Sequence, residues 1–195
     1  SLTAHQLASP LSSIKWGLLM LLNDDFGKIT EEQKEVIKEV CRKNNQLIYL
    51  VEDLLDTAKI EDGKYILEKE FGDLENIILS AVDFYKDDIQ KKKFNFKFLR
   101  PARKLPEIKM DKQKMKLAVQ NLFDNAIKYT PPGGQITVTL IERGKNAEFK
   151  IQDSGMGVES SHKNKIFSKF FRGSNAIKKE PMGYGLGLFF VKAII

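Results

Sequence analysis

From Leu7 to Ala58 the apolar residues recur at steps of three and four, and that rhythm confines residues 2–61 to helix. Leu7, Leu11, Ile14, Leu18 and Leu21 mark a first helix, and Ile37, Val40, Asn44, Leu47, Val51, Leu54 and Ala58 a second. Between them NDDFGKI, residues 23–29, reads as a turn, and Thr30 followed by Gln33 reads as a capping box opening the second helix. The segment is therefore expected to be a helical hairpin. Val36, Ile48 and Leu55 widen the apolar seam beyond what two helices can bury against each other. Two hairpins packed into a four-helix bundle would cover it, so a homodimer is expected. Asn44 in the seam fits either a register-fixing residue or one facing a wet gap.

After IEDG, residues 60–63, the rhythm changes. YILEKEF (65–71) and FNFKFL (94–99) read as strands, with one helical pattern from Asp73 to Lys91 between them. DKQKMKLAVQNLFDNAIKYT (111–130) reads as a helix, and PPGG after it as a turn. QITVTLIE (135–142) and NAEFKIQD (146–153) read as a hairpin joined at Arg143, Gly144 and Lys145. Glycine-rich loops follow, then a last helix from about Gly185. Strands covered by helices indicate an α+β domain over residues 63–195, behind a hairpin domain over residues 1–62.

The single cysteine, Cys41, rules out an internal disulfide and thiolate metal clusters, and suits a reducing compartment. Two histidines cannot by themselves build a zinc site. The net charge of +6 is spread among acids, and the clusters Lys91-Lys92-Lys93 and Lys178-Lys179 are too short for nucleic-acid arms. No apolar run is long enough to span a membrane, so no membrane contact is expected of this segment.

Three short signals carry chemistry. In NLFDNAIKYT, Asn121 and Asn125 stand four apart and share a helix face, with Lys128 and Tyr129 one turn on. Amide oxygens suit Mg²⁺, the lysine suits a phosphate, and the tyrosine ring suits a base. In DSGMG (153–157) a carboxylate precedes two glycines, so the backbone can approach a ligand that Asp153 accepts a hydrogen bond from. In GYGLGL (183–188) glycines precede a helix, where free N–H groups face anions. It is not a dinucleotide fingerprint, because no strand feeds it and no βαβ unit fits before Ile195. His5, in AHQLASPL, lies off the seam and faces outward, five residues before Pro10. Pro10 lacks an N–H, leaves the Gln6 carbonyl unpaired and should kink the helix there.

The order and spacing of these motifs resemble the catalytic region of sensor histidine kinases over nearly the whole chain. AHQLASPL resembles the box around the phosphorylated histidine, NLFDNAIKYTPPGG the N box, DSGMG the first glycine box, IFSKFFRG the phenylalanine box and GYGLGL the second glycine box. The resemblance implies that the second domain is a two-layer α/β sandwich, an ATP-binding domain of the histidine kinase/Hsp90-like type, cut short at its C-terminus. It implies ATP and Mg²⁺ as cofactors, with Asn125 on the metal and Asn121 beside it. Lys128 would meet phosphate, and Tyr129 and Asp153 the adenine, with Gly155 and Gly157 shaping that pocket. Residues 168–182 would form a mobile lid anchored by Phe167, Phe170 and Phe171. Gly183, Gly185, Leu186, Gly187 and Leu188 would form its hinge and phosphate cradle. His5 would be the phosphoacceptor, passing its phosphoryl group to a response-regulator receiver domain, and the whole would work in the cytoplasm.

Three residues depart from the family pattern or bear on its chemistry. Gln6 follows the histidine where an acid is usual; its amide oxygen can fix the imidazole tautomer but cannot take a proton. Ala8 stands where arginine is common. Ser9 stands where threonine or asparagine often orients water for dephosphorylating the partner. An ATP-binding dimeric scaffold with little turnover is the competing reading, motivated by Gln6, Ala8 and the early end of the chain.

Overall fold

The computed structural model describes residues 2–144, 146–181 and 183–195, and the side chains of these except residues 2–8. The chain forms two compact units that divide between Tyr65 and Ile66.

The first unit is a helical hairpin of α1 (Leu2–Leu22) and α2 (Glu31–Glu61). Gly27, at φ 111°, ends the turn between them. The expected capping box opens α2: Thr30 Oγ1 accepts from the Gln33 N–H at 3.2 Å, and Gln33 Oε1 accepts from the Thr30 N–H at 2.8 Å. Such caps contribute about 1 kcal/mol. The helix stops at Asp62, and Gly63 leaves it at φ 65°. The seam divides into two stripes. Leu11, Leu18, Ile37 and Val51 are partly buried, whereas Ile14, Val40, Leu47 and Leu54 stay 43–50% exposed. Asn44 is 5% exposed and donates from Nδ2 to the Leu11 carbonyl at 2.9 Å, which fixes the pairing of the two helices at that level.

The second unit contains β1 (Glu70–Gly72), α3 (Leu74–Phe84), α4 (Lys86–Lys91), β2 (Asn95–Leu99), β3 (Ile108–Met110), α5 (Lys112–Tyr129), β4 (Gln135–Arg143), β5 (Asn146–Asp153), α6 (Ser174–Lys179) and α7 (Gly187–Ile194). The main sheet has the order β2-β4-β5, with β2 parallel and β5 antiparallel to β4. Ile136, Val138 and Leu140 alternate onto one face of β4 and are fully buried. They share a core with Ile78 of α3 and with Val119, Phe123 and Ala126 of α5. α7 packs on α5. This is the two-layer α/β arrangement expected.

Several element limits differ from the sequence expectation. Of YILEKEF only Glu70 and Phe71 are strand, which continues to Gly72, because β3 offers three partners and no more; Ile66 upstream is 80% exposed. β3 itself, in KLPEIKM, lacks the apolar run that marks a strand. The single helix expected from Asp73 to Lys91 breaks at Tyr85, whose backbone (φ −93°, ψ 6°) caps α3 and precedes α4. Its ring is buried and stacks on Phe123 at 5.7 Å, so tertiary packing overrides the helical pattern there. The last helix starts at Gly187 rather than Gly185, because Gly185 sits at φ 71°.

Candidate functional site

α5 is the platform of the site. Its N-terminus is capped by Asp111, whose carboxylate accepts from the Lys114 N–H at 3.0 Å. Its buried face of Ala118, Val119, Phe123, Ala126 and Ile127 sets the rotation of the helix. That rotation leaves Asn121, Asn125 and Tyr129 half-buried and Lys128, a helical turn on from Asn125, exposed.

Glycine contacts bring the separate motifs onto this platform. A Cβ on Gly187, the first residue of α7, would lie 2.7 Å from Asn121 Oδ1, so the second glycine box rests directly on the N box. A Cβ on Gly155 would lie 2.6 Å from the Tyr129 carbonyl oxygen and 2.6 Å from Asp153 Oδ1. The first glycine box is thus pressed against the C-terminal end of α5. Asp153 Oδ1 accepts from the Gly155 N–H at 2.8 Å, which orients the carboxylate, and the residue remains exposed. Gly185 abuts Phe170, the Phe171 carbonyl and Arg172, all within 3.0 Å of its missing Cβ. Its positive φ and that contact both require glycine.

Of the segment expected as a lid, residues 168–181 contain α6 and are organised by a residue the sequence reading passed over. Arg172 donates from Nη1 to the carbonyls of Pro181 (3.2 Å) and Gly183 (2.9 Å), and from Nη2 to those of Ala176 (3.0 Å) and Glu180. Lys179 donates to the Tyr129 carbonyl at 2.7 Å and so joins α6 to the end of α5. Arg172 lies inside IFSKFFRG, a motif read for its phenylalanines; a guanidinium among glycines and a proline was the available signal. The aromatic residues divide: Phe171 meets the His162 ring edge-on at 5.2 Å, whereas Phe167 and Phe170 are 38% and 53% exposed. Phe170 adopts φ 60°.

Other expected residues separate by position. Leu186 is buried at 1% and belongs to the packing of α7, and Leu188 is half-buried. Gly157, at φ 67°, has open space around it. Lys128 Nζ lies 3.7 Å from Asp124 Oδ2, and Asp124 Oδ1 accepts from the buried Tyr85 hydroxyl at 2.7 Å. Burial first, and Asp124 second, push the Tyr85 phenol well above its ordinary value, so it stays protonated and donates. Neither Tyr85 nor Asp124 was expected at the site.

In the hairpin, Ser9 is exposed and its carbonyl accepts from Ser13 Oγ at 3.2 Å. The side chains of His5 and Gln6 lie outside the described residues, although their backbone is within α1. Among the described residues no three His, Cys, Asp or Glu side chains cluster as a metal cage, and no helix is long and apolar enough to cross a membrane.

Comparison with known proteins adds two family matches. Residues 2–63 match the His Kinase A (phospho-acceptor) domain, and residues 110–195 the histidine kinase-, DNA gyrase B- and HSP90-like ATPase family. The chain is 27% identical to the circadian input-output histidine kinase CikA of Synechococcus elongatus, over 98% of this chain and 26% of that protein. It is 30% identical to the sensor protein KdpD of Clostridium acetobutylicum, over 98% of this chain and 21% of that protein. The chain therefore spans about a quarter or less of the length of these curated relatives. Among solved structures it resembles full-length ShkA in complex with AMPPNP (TM-score 0.78, 22% identity, 98% of this chain and 39% of that one). It also resembles histidine kinase ThkA in complex with the response regulator TrrA (TM-score 0.59, 23% identity, 87% of this chain and 49% of that one). With the phospho-acceptor hairpin and the ATPase-type domain following each other in one chain, the protein belongs to the sensor histidine kinases of two-component systems, of which it comprises the catalytic core.

Proposed function

We propose that this chain binds ATP in its second unit and transfers the γ-phosphoryl group to His5 of its hairpin, then to an aspartate of a response-regulator receiver domain. The observation that carries the nucleotide site is the meeting of N box and both glycine boxes at Asn121–Gly187 and Tyr129–Gly155. At both contacts a neighbouring oxygen stands where a Cβ would be, so only glycine allows the motifs to meet, and the contacts involve an amide oxygen of α5 and the exposed carboxylate of Asp153. That donor set fits a nucleotide: Asp153 accepts from the adenine amine, Tyr129 lies beside the base, and Lys128 meets phosphate charge. Asn125, with Asn121 beside it, offers hard oxygen to Mg²⁺. When bound, Mg²⁺ neutralises charge on the phosphate oxygens as it develops in the loose transition state.

His5 attacks with an unprotonated ring nitrogen, which an imidazole of pKa about 6.5 largely has at neutral pH. The new bond joins that nitrogen to the γ-phosphorus as the bond to the bridging oxygen breaks and ADP leaves. Gln6 orients the ring through its amide oxygen, and the imidazole proton goes to solvent rather than to a neighbouring carboxylate. In the second step a carboxylate oxygen of the receiver aspartate attacks the phosphorus and the phosphorus–nitrogen bond breaks. Ser9 lies one turn beyond His5 and is exposed; its hydroxyl would orient water for dephosphorylating the partner.

The active form is a homodimer in the cytoplasm. Its support is the stripe of Ile14, Val40, Leu47 and Leu54, which the single hairpin leaves exposed and a second hairpin would cover. The second reading, an ATP-binding scaffold with little turnover, is favoured by Gln6 and Ala8. Incubation with labelled ATP and Mg²⁺ separates the two. Acid-labile, alkali-stable label that His5→Ala abolishes supports the kinase. Nucleotide binding with no label supports the scaffold, and label undiminished in His5→Ala overturns the assignment of His5.

A further inference from the structure

We propose that Tyr85 is a positioning residue for the phosphate side of the nucleotide site, acting through Asp124 on Lys128. The inference rests on the reading of Lys128 as phosphate-facing. Tyr85 sits where α3 gives way to α4, with its ring buried, stacked parallel on Phe123 and met edge-on by Phe84 at 4.9 Å. Packing of that ring needs no hydroxyl; phenylalanine would fill the same space. The hydroxyl instead reaches out of the core to Asp124 Oδ1 at 2.7 Å.

Asp124 is the residue before Asn125 and stands four before Lys128, on the flank of the face that carries the two asparagines. Its second oxygen lies 3.7 Å from Lys128 Nζ, with both side chains 41–46% exposed. An exposed pair of that kind does little to order a lysine, because both side chains keep their rotamer freedom. Here one partner has lost that freedom. A charge-assisted hydrogen bond from a rigid, buried phenol fixes the carboxylate, so its other oxygen occupies one place. Lys128 then samples a narrow region beside Asn125 instead of sweeping through solvent, and less ordering remains to be done when a polyphosphate arrives. The core of the domain is linked in this way to the charge of the site.

Tyr85→Phe tests the idea, with Lys128→Met as second background and calorimetric titration of two probes in Mg²⁺: a non-hydrolysable imido analogue of ATP, and adenosine. The expected result is about a threefold to tenfold loss of affinity for the analogue, the scale of a charged hydrogen bond partly transmitted, with adenosine unchanged. In the Lys128→Met background Tyr85→Phe should add nothing. Equal losses for both probes would mark Tyr85 as merely structural and overturn the proposal. No loss for either probe, or a full loss that persists without Lys128, would overturn it too. If Tyr85→Phe does not fold by circular dichroism, Asp124→Asn stands in, since it removes the charge while keeping an acceptor for the phenol. The same selective loss is then expected, and its absence is equally decisive. Failure of the unmodified chain to bind the analogue would overturn the nucleotide-site reading and this inference together; binding with an unmoved ratio overturns only the inference.

Discussion

Replacing Arg172 with methionine keeps most of the side chain's length and removes the guanidinium that gathers the carbonyls of Ala176, Glu180, Pro181 and Gly183. Each such bond contributes about 0.5–1.5 kcal/mol net, so four sum to about 2–6 kcal/mol. Arg172 is only partly buried and water can replace the guanidinium at each carbonyl, which places the loss at the low end, about 2–3 kcal/mol. The loss falls on opening of residues 173–183, because all four acceptors lie within that segment. The open population should rise about 30- to 150-fold. Amide hydrogen exchange reads this directly. The N–H groups of Ile177 and Glu180, bonded to the carbonyls of Gly173 and Ala176, should lose protection while those of β4 keep theirs. Unchanged exchange at Ile177 and Glu180 would refute the account of Arg172 as organiser of this segment. Equal loss in β4 would refute the claim that its action is local.

Four further outcomes follow from the geometry. Gly155→Ala places a methyl 2.6 Å from the Tyr129 carbonyl, a backbone atom that cannot move cheaply, and should cost about 1–3 kcal/mol in a thermal melt; an unchanged midpoint would contradict that close approach. Burial, with the Asp56 and Glu52 charges adding to it, pushes the Asp53 carboxyl from 3.8 up to about 6. The folded state then binds that proton more tightly than the unfolded chain, so this group's contribution to stability falls as pH rises between 3.8 and about 6. Asp53→Asn should remove that fall, and a melting profile with the same pH dependence would count against it. Leu47→Glu puts a charge into the exposed apolar stripe and should give a monomer by analytical ultracentrifugation; a persistent dimer would place the interface elsewhere. Gln6→Glu supplies the missing carboxylate beside His5 and should speed autophosphorylation, whereas equal rates would remove any role for that position.

Local chemistry was legible where a residue's partners lie close in sequence. Thr30 and Gln33 close their capping box three residues apart, and the helix over 111–130 is bounded by its own Asp111 cap. The motifs of the proposed nucleotide site were legible only in series: each alone fits an ordinary helix face or turn, and their order and spacing along the chain carry the resemblance. What stayed hidden depends on partners far along the chain. Tyr85 breaks a helical pattern because of Phe123 and Asp124, some forty residues on. β3 is a strand only because β1 lies beside it. The seam of the hairpin reads as one stripe, and only packing shows which half faces α1 and which half faces out. Arg172 bonds to backbone carbonyls four to eleven residues on, and a guanidinium among glycines and a proline was the one mark of that in the sequence.

The central claim is that His5 receives the phosphoryl group, and the most direct test is to locate that group on the chain. After incubation with ATP and Mg²⁺, the protein is digested under alkaline conditions and its peptides are mapped by mass spectrometry with electron-transfer fragmentation. The account predicts one phosphoryl group on the peptide spanning Ser1 to Lys15, on the ring of His5, lost on brief acid treatment. A phosphoryl group on His162, or an acid-stable one on Ser9, Ser12 or Ser13, would contradict it.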